Sequence, residues 1–451
     1  MLPAHIFREY DIRGVAERDM PDAQVADLGR ALGTYLVRKD LRRIALGRDC
    51  RLSSPRLHDA LRAGLLETGI QIVEIGVVPT PLMYFSVFEL DLDGGVQITG
   101  SHNPPEDNGF KMMQGKSSLF GADIQTLKHM IEARDFDLRK DGTVEEYDPL
   151  HAYVGFVKGN IRLARTDLKI AIDAGNGAGG PTASAALRAV GLSPVELLCE
   201  MDGRFPVHHP DPSQPENLEL LRRTVLDQGL DLGIAYDGDA DRIGVIDARG
   251  DTIWGDKLMV LFSRAILGRH PGAAIISEVK CSQTLYDDIA ARGGRPIMWR
   301  TGHSLIKKKM KEEHALLAGE MSGHMFFADR FFGYDDAVYA SLRLLEIVAA
   351  ADRPLHELLA DVPRTYATPE LRVDCPDDVK FGLVERVLDH YRATHQVIDV
   401  DGARIQFADG WGLVRASNTQ PVLVLRFEAS GERELDALRR EVEATVARLR
   451  D

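Results

Sequence analysis

The sequence predicts an α/β protein of four domains, three related mixed α/β domains followed by a C-terminal α+β domain. Three observations predict it. Short apolar runs alternate with amphipathic helical periods through about the first 360 residues, and that strand–helix–strand order starts afresh three times. Beyond it, two strand-length runs flank one polar loop, as an antiparallel hairpin does. The length of 451 residues allows about three or four domains at roughly 100–200 residues each.

In the first unit, "RRIALG" (42–47) reads as a strand, "SPRLHDALRAGLLETG" (54–69) as an amphipathic helix and "IQIVEIG" (70–76) as the next strand. The second unit opens on "LKIAIDAGNG" (168–177), continues through a helix near 179–190 and a strand near 194–198, and reaches "LDLGIAYDGD" (230–239), a strand running into a loop. The third opens on "AAIISEV" (273–279), with the helix "SQTLYDDIAARGG", the strand "RPIMW" and the helix "HSLIKKKMKEEH" behind it. The last has "ATPELRVDC" (367–375), a helix near 377–394, the paired runs "GWGLVRAS" (410–417) and "PVLVLRFEA" (421–429), and a charged terminal helix. Boundaries fall near 149, 251 and 364, giving domains 1–149, 150–251, 252–364 and 365–451.

A hydrophobic fraction of 44% with 27% charged residues is enough for each domain to build a core. The 55 basic and 69 acidic side chains leave a formal charge of −14, which argues against non-specific nucleic-acid or anionic-membrane binding while permitting a local basic pocket. Four cysteines with no CxxC read as reduced thiols. The start, "MLPAHIFREYDIRG", has no apolar signal region, and no window reaches transmembrane length, so a cytoplasmic protein is expected.

The strongest chemical signal is "YDGDADR" (236–242). Asp237, Asp239 and Asp241 alternate just past an apolar strand, and an extended backbone would point all three to one side. Carboxylates so placed repel unless a hard cation such as Mg²⁺ sits among them. An EF-hand is excluded, since Arg242 stands where its loop needs Gly and Ala248 where it needs Glu.

The hairpin loop "RASNTQP" (415–421) offers Arg415, Ser417, Asn418 and Thr419, a donor set suited to a phosphate dianion. "GEMSGH" (319–324) carries Glu320, Ser322 and His324, suited to a hydroxyl-rich ligand. "FREYDIRG" (7–14) supplies Tyr10 and Arg13. Lys280 and His303 are ambiguous alone, and "KKKMK" (307–311) reads as the solvated face of its helix. In "TGSHNPP" (99–105), Ser101 sits in a rigid turn with His102 beside it and Lys111 on the following strand-like segment. Taken singly each loop is an ordinary polar turn. Together, a fixed hydroxyl, a cation site and anion-binding loops describe phosphoryl transfer.

Carried in one order, "YDIRG", "TGSHNPP", "DGDADR", "GEMSGH" and "RASNTQP" resemble the α-D-phosphohexomutase superfamily, and within it the bacterial phosphomannomutase/phosphoglucomutase group. The resemblance spans essentially the whole chain. It implies four domains around a central cleft, with interconversion of hexose 1- and 6-phosphates of mannose and glucose through an enzyme phosphoserine and a 1,6-bisphosphate. It implies that Ser101 carries the phosphoryl group and that Asp237, Asp239 and Asp241 hold Mg²⁺, with the phosphate on Ser101 completing the shell. Glu320 and Ser322 would grip sugar hydroxyls, and Arg415, Ser417, Asn418 and Thr419 the phosphate not being transferred. Tyr10, Lys280 and His303 match cleft-lining positions, and Arg13, His102, Lys111, Arg242 and His324 charged positions around the reacting phosphate. The implied partners are hexose phosphates, with glucose 1,6-bisphosphate as activator. A phosphoglucosamine mutase and a Mg²⁺-dependent sugar phosphatase are the alternatives. Against the phosphatase, Asp241 stands where the D-x-D-x-[TV] pattern of haloacid dehalogenases wants Thr or Val. A non-enzymatic sugar-phosphate sensor would not need the intact serine loop.

Overall fold

The computed structural model describes residues 2–139, 141–418 and 420–450. They form four sheets. Ile12–Val15, Asp107–Gln114, Gly94–Ile98, Arg43–Arg48, Gln71–Val77 and Thr143–Glu146 run in that order across the first, with Ser117–Ser118 at its flank. The last four are parallel neighbours, and the first two are added antiparallel. In the second sheet Ile170–Asp173 is parallel to both Val195–Leu197 and Leu232–Tyr236. In the third, Ala274–Glu278 is parallel to Arg295–Trp299 and Leu317–Gly319. The fourth is antiparallel throughout, centred on Gly410–Ala416 and Val422–Ala429. The fold class read from the sequence therefore holds, three α/β domains and one α+β domain.

One device recurs. A wholly buried strand runs into a loop, and the chain returns as an antiparallel neighbour: Gly94–Ile98 into Asp107–Gln114, Leu232–Tyr236 into Ile243–Asp247, and Leu317–Gly319 into Met325–Phe327. Gly410–Ala416 and Val422–Ala429 repeat it in the fourth domain. The loops at these returns are the polar stretches singled out above.

The largest apolar cluster draws on all three α/β domains, joining Phe85, Tyr153, Tyr236, Phe262 and Tyr339. The fourth domain has its own core, with Leu383, Tyr391, Phe427 and Val442. It meets the third through the small cluster of Val279, Trp411 and Leu413, where the Arg404 guanidinium lies 3.8 Å over the Trp411 ring. Among the described residues no helix is long and apolar enough to cross a membrane.

Asp336 joins the second and third domains. It caps the helix Ala337–Ala350 by accepting from Tyr339 N at 2.8 Å, and it accepts the Tyr153 hydroxyl at 2.8 Å. Burial pushes its carboxyl up to about 7, against those two hydrogen bonds. An unfolded aspartate titrates near 3.9. The folded chain therefore holds this proton more tightly, and the associated stability is full below pH ~4 and is lost as pH rises through about 7. Asp336→Asn keeps an oxygen for the cap, so the variant is expected to show a flatter decline of melting temperature between pH 5 and 8, measured by circular dichroism.

Candidate active site

The buried strand Gly94–Ile98 delivers Ser101, which is 2% exposed and held at φ 49°. Its Oγ donates to Asp237 Oδ2 at 2.7 Å and lies 3.1 Å from His102 Nδ1. A left-handed backbone costs a non-glycine residue roughly 1–2 kcal/mol, so something must hold it. Arg51 does. Its fully buried guanidinium donates to the carbonyls of Ser101 (2.7 Å), Asn103 (2.6 Å) and Asp107 (2.9 Å), and to that of Pro104. Asp49 lies 3.3 Å from Arg51 Nε and accepts Gly100 N at 3.2 Å. Gly100 has no alternative, because a Cβ there would sit 2.5 Å from Arg51 Cζ.

Sequence reasoning missed Arg51 and Asp49. The available signal was "GRDCRLSSP" (47–55), a D-x-R placed directly after an apolar strand. Lysine cannot span four carbonyls with one ammonium. Arg51→Lys is therefore expected to lower kcat roughly tenfold to a hundredfold with little change in KM, because displacing the candidate reactive hydroxyl of Ser101 by about 1 Å loses that much. Steady-state kinetics beside an unchanged circular dichroism spectrum is the check.

The acidic loop departs from its expected geometry. Residues 237–242 are not extended: Ala240 N donates to Asp237 O at 3.0 Å in a turn, with Ala240 at φ 56°. Asp237 Oδ1 accepts Asp241 N (3.0 Å) and Arg242 N (3.1 Å), so the chain curls around its first carboxylate. That curl, not strand alternation, gathers the three aspartates, all wholly buried. Gly238 lets this loop meet the serine loop, since a Cβ there would lie 2.4 Å from Ser101 O.

Lys111, from the strand Asp107–Gln114, places its ammonium 2.7 Å from Asp239 Oδ2 and 2.5 Å from Asp241 Oδ2. Thr80 Oγ1 also donates to Asp239 Oδ2. Burial opposes the Lys111 charge, but Asp239, Asp241 and Asp237 outweigh it and hold the ammonium well above its ordinary range. Burial, then Asp241 and Asp239, push Asp237 well above the usual carboxylate range. Lys111 offsets only part of the cluster's negative charge, and Asp239 Oδ1 and Asp241 Oδ1 are buried with no hydrogen-bond partner. Oxygen atoms of the three carboxylates lie within 4.8 Å of one another, a hard donor set of the kind Mg²⁺ takes. The residues fit a divalent cation.

Around Ser101 gather the other charged groups. Arg13 donates to Asn103 Oδ1 (2.8 Å) and Asp11 Oδ2 (2.6 Å). His102 is held well below the ordinary histidine range by burial and by Arg242 and Arg13, so it is neutral. Arg242 Nε donates to His324 Nε2 at 3.0 Å, which leaves the ring proton on Nδ1. His324 Nδ1 lies 3.1 Å from Asp335 Oδ2 and 3.5 Å from Asp241 Oδ1. The other oxygen of Asp335 takes Lys307 Nζ at 3.1 Å, and Lys307 also donates to the Tyr84 hydroxyl at 3.1 Å. The "KKKMK" helix is therefore not simply a solvated face: Lys307 is buried between two domains. Its partners are distant in sequence, so the run gave no sign of it.

Glu320 accepts Gly302 N at 2.7 Å and Ser322 Oγ at 3.1 Å, which ties the two hydroxyl-binding candidates to each other and to the start of the helix His303–Glu313. His303 stacks on His324 with ring centroids 5.8 Å apart. Lys280 Nζ pairs with Glu370 of the fourth domain at 3.1 Å. Arg415, 6% exposed, donates to Asp401 at 3.0 Å, and Ser417 Oγ accepts Gln420 N at 3.2 Å. Asn418 donates to the Tyr10 hydroxyl at 2.9 Å, and that hydroxyl donates to Thr301 O at 2.9 Å. Thr419 lies outside the described residues. Tyr10 thus binds the first domain to the third and fourth. All four domains contribute to this one region.

Comparison with known proteins points the same way. Residues 4–137, 151–250, 254–366 and 370–445 match, in order, the α/β/α domains I, II and III and the C-terminal domain of phosphoglucomutase/phosphomannomutase. The chain is 45% identical over 439 residues to a phosphomannomutase/phosphoglucomutase of Pseudomonas aeruginosa, covering 97% of this chain and 94% of that one. It is 44% identical over 445 residues to a phosphoglucomutase of Neisseria gonorrhoeae, with 98% and 96% covered. Among solved structures, a phosphoglucomutase/phosphomannomutase family protein from Burkholderia thailandensis superposes with a TM-score of 0.93 at 40% identity, over 100% of this chain and 98% of that one. A Paramecium phosphoglucomutase shares the fold at a TM-score of 0.78 and 18% identity, with 100% and 96% covered.

Proposed function

The chain belongs to the phosphoglucomutase/phosphomannomutase family of α-D-phosphohexomutases, and from that premise we propose that it interconverts the 1- and 6-phosphates of glucose and mannose through a phosphorylated Ser101. The observation that carries this reading is the serine itself. Its Oγ stands 2.7 Å from Asp237 on a strained turn that Arg51 pins, between a cation-binding loop and a ring of basic groups.

Phosphorylated Ser101 gives its phosphoryl group to the free O1 or O6 of a hexose phosphate, the Ser101 Oγ–P bond breaking as the sugar O–P bond forms. The proton that the sugar hydroxyl gives up is balanced by the one the serine oxygen regains as its bond to phosphorus breaks, with His324 held beside the reacting groups by Arg242 Nε at 3.0 Å. Arg13 and Arg242 meet the phosphoryl oxygens, and Lys111 keeps the aspartate cluster from repelling them. Asp237, Asp239 and Asp241 would hold a Mg²⁺, which would supply positive charge against the charge that develops on transfer. The 1,6-bisphosphate then turns over in the cleft and returns its other phosphate to Ser101. Glucose 1,6-bisphosphate restores the phosphoserine whenever it is lost. Arg415, Ser417 and Asn418 hold the phosphate that is not moving.

Each substrate binds in two orientations about half a turn apart, so a fixed pair such as Glu320 and Ser322 reads only groups that superpose in both. The 3- and 4-hydroxyls do, and glucose shares them with mannose. A coupled assay is expected to give kcat/KM values for glucose 1-phosphate and mannose 1-phosphate within about tenfold, or ~1.4 kcal/mol of transition-state binding. Galactose 1-phosphate, epimeric at C4, should be much poorer, because it leaves a buried polar group unpaired. The purified protein should carry a fraction about 80 Da heavier, one phosphoryl group. A preference for glucosamine phosphate over both neutral hexoses would overturn the substrate assignment.

A further inference from the structure

A cavity of about 400 Å³ opens between the first and third domains, bounded on one side by the segment 113–123 and on the other by the helix His303–Glu313. Four lysines line it. Two have carboxylate partners: Lys116 pairs with Asp91 at 2.6 Å and Lys307 with Asp335 at 3.1 Å. Lys311 donates only to neutral oxygens, Ser117 Oγ at 2.8 Å and Lys116 O. Lys308, on the exposed rim, has no hydrogen bond or ion pair among the described residues. Of the two acids in the lining, Asp123 accepts the Tyr35 hydroxyl at 2.6 Å and Glu312 lies 3.6 Å from Lys309. Two ammonium groups thus face the opening without a carboxylate of their own.

Below the lysines runs an aromatic wall. Phe332 stacks on Phe88 with centroids 5.0 Å apart and on Tyr334 at 6.2 Å, with planes 29° and 8° apart.

We propose that this cavity binds a small phosphate monoester carrying a ring, the phosphate between Lys308 and Lys311 and the ring against Phe332. It is distinct from the catalytic cleft, since none of the loops that carry the serine, the aspartates, the sugar contacts or the second phosphate lines it. The two are joined mechanically. The helix His303–Glu313 begins at a cleft residue and carries all three of Lys307, Lys308 and Lys311, and Lys307 grips the aspartate that faces His324. An occupant that draws on this helix is placed to alter turnover.

The test is calorimetric titration of the full chain with inorganic phosphate, fructose 6-phosphate and adenosine 5′-monophosphate, repeated on Lys308→Glu and Phe332→Leu. At least one ester is expected to bind with a Kd below about 1 mM and more tightly than inorganic phosphate. Lys308→Glu should weaken it about tenfold or more, and Phe332→Leu several-fold, while the basal kcat of Lys308→Glu is unchanged. Binding in the cleft does not respond to Lys308, so the two sites separate. Tighter fructose 6-phosphate identifies a sugar phosphate as the occupant, and tighter adenosine monophosphate a nucleotide. No saturable binding of either ester, binding no tighter than inorganic phosphate, or equal affinity in wild type and Lys308→Glu overturns the proposal. Lys308→Glu changes an exposed helix position, so its comparison with wild type decides the matter even if Phe332→Leu fails to fold.

Discussion

Ser101→Ala is expected to lose roughly a thousandfold or more of its turnover, because no oxygen remains to carry the phosphoryl group between the two halves of the reaction. The variant should still fold. Ser101 is 2% exposed, so the change is internal, and its main cost is Asp237 Oδ2 losing the hydroxyl that donates to it at 2.7 Å. An unpaired buried acceptor costs about 1–3 kcal/mol against a total stability of roughly 5–15. Alanine tolerates the left-handed turn no worse than serine. The expected record is an unchanged circular dichroism spectrum, no fraction heavier by about 80 Da, and no rescue by added glucose 1,6-bisphosphate. Near-wild-type turnover, once contaminating mutase is excluded, would falsify the phosphoserine.

Asp239→Asn should cost roughly a hundredfold in kcat and weaken Mg²⁺ binding, since it removes one of three oxygen-anion ligands from a buried cluster. Asp239 bears two loads. Its Oδ2 accepts Lys111 and Thr80, and its Oδ1 has no partner in the protein. Asparagine keeps an acceptor for Thr80 and Lys111 but removes one of the two carboxylate charges that Lys111 touches. KM for the sugar phosphate should move little, because in the function proposed above the distant phosphate is assigned to Arg415, Ser417 and Asn418 on another domain. Chelation of wild type by EDTA should reproduce the loss in kcat, and chelation of the variant should add less. If EDTA leaves the wild-type rate where it was, the aspartates do not serve a metal.

The architecture was legible wherever it depends on local pattern. The strands at 43–48, 71–77, 170–173 and 274–278 are short apolar runs bounded by polar punctuation, and their helices carry a clear apolar face. The loops at the antiparallel returns were equally visible, because hydroxyls, carboxylates and prolines crowd into few residues there. Contacts that depend on distant chain were not visible. The D-x-R at 49–51 marks Arg51 but does not announce that it will hold carbonyls 50 to 56 positions on. Nothing in "KKKMK" separates Lys307, which meets Asp335 and Tyr84, from Lys308, which meets neither. The aspartate loop misled differently. Its alternation implied a strand, whereas hydrogen bonds from Asp241 N and Arg242 N to Asp237 bend the backbone into a turn that reaches the same convergence by another path.

The φ of 49° at Ser101 reaches beyond energetics to the choice of amino acid. Three genetically encoded side chains offer a hydroxyl. Tyrosine would place it several ångströms too far out, beyond a ring the buried turn has no room for. Threonine, ordinarily serine's mildest replacement, carries a second branch at Cβ that the left-handed region rejects. The identity of the proposed nucleophile is therefore dictated by the shape of the backbone beneath it, and any lineage drifting toward threonine at this position would first have to rebuild the turn that Arg51 closes.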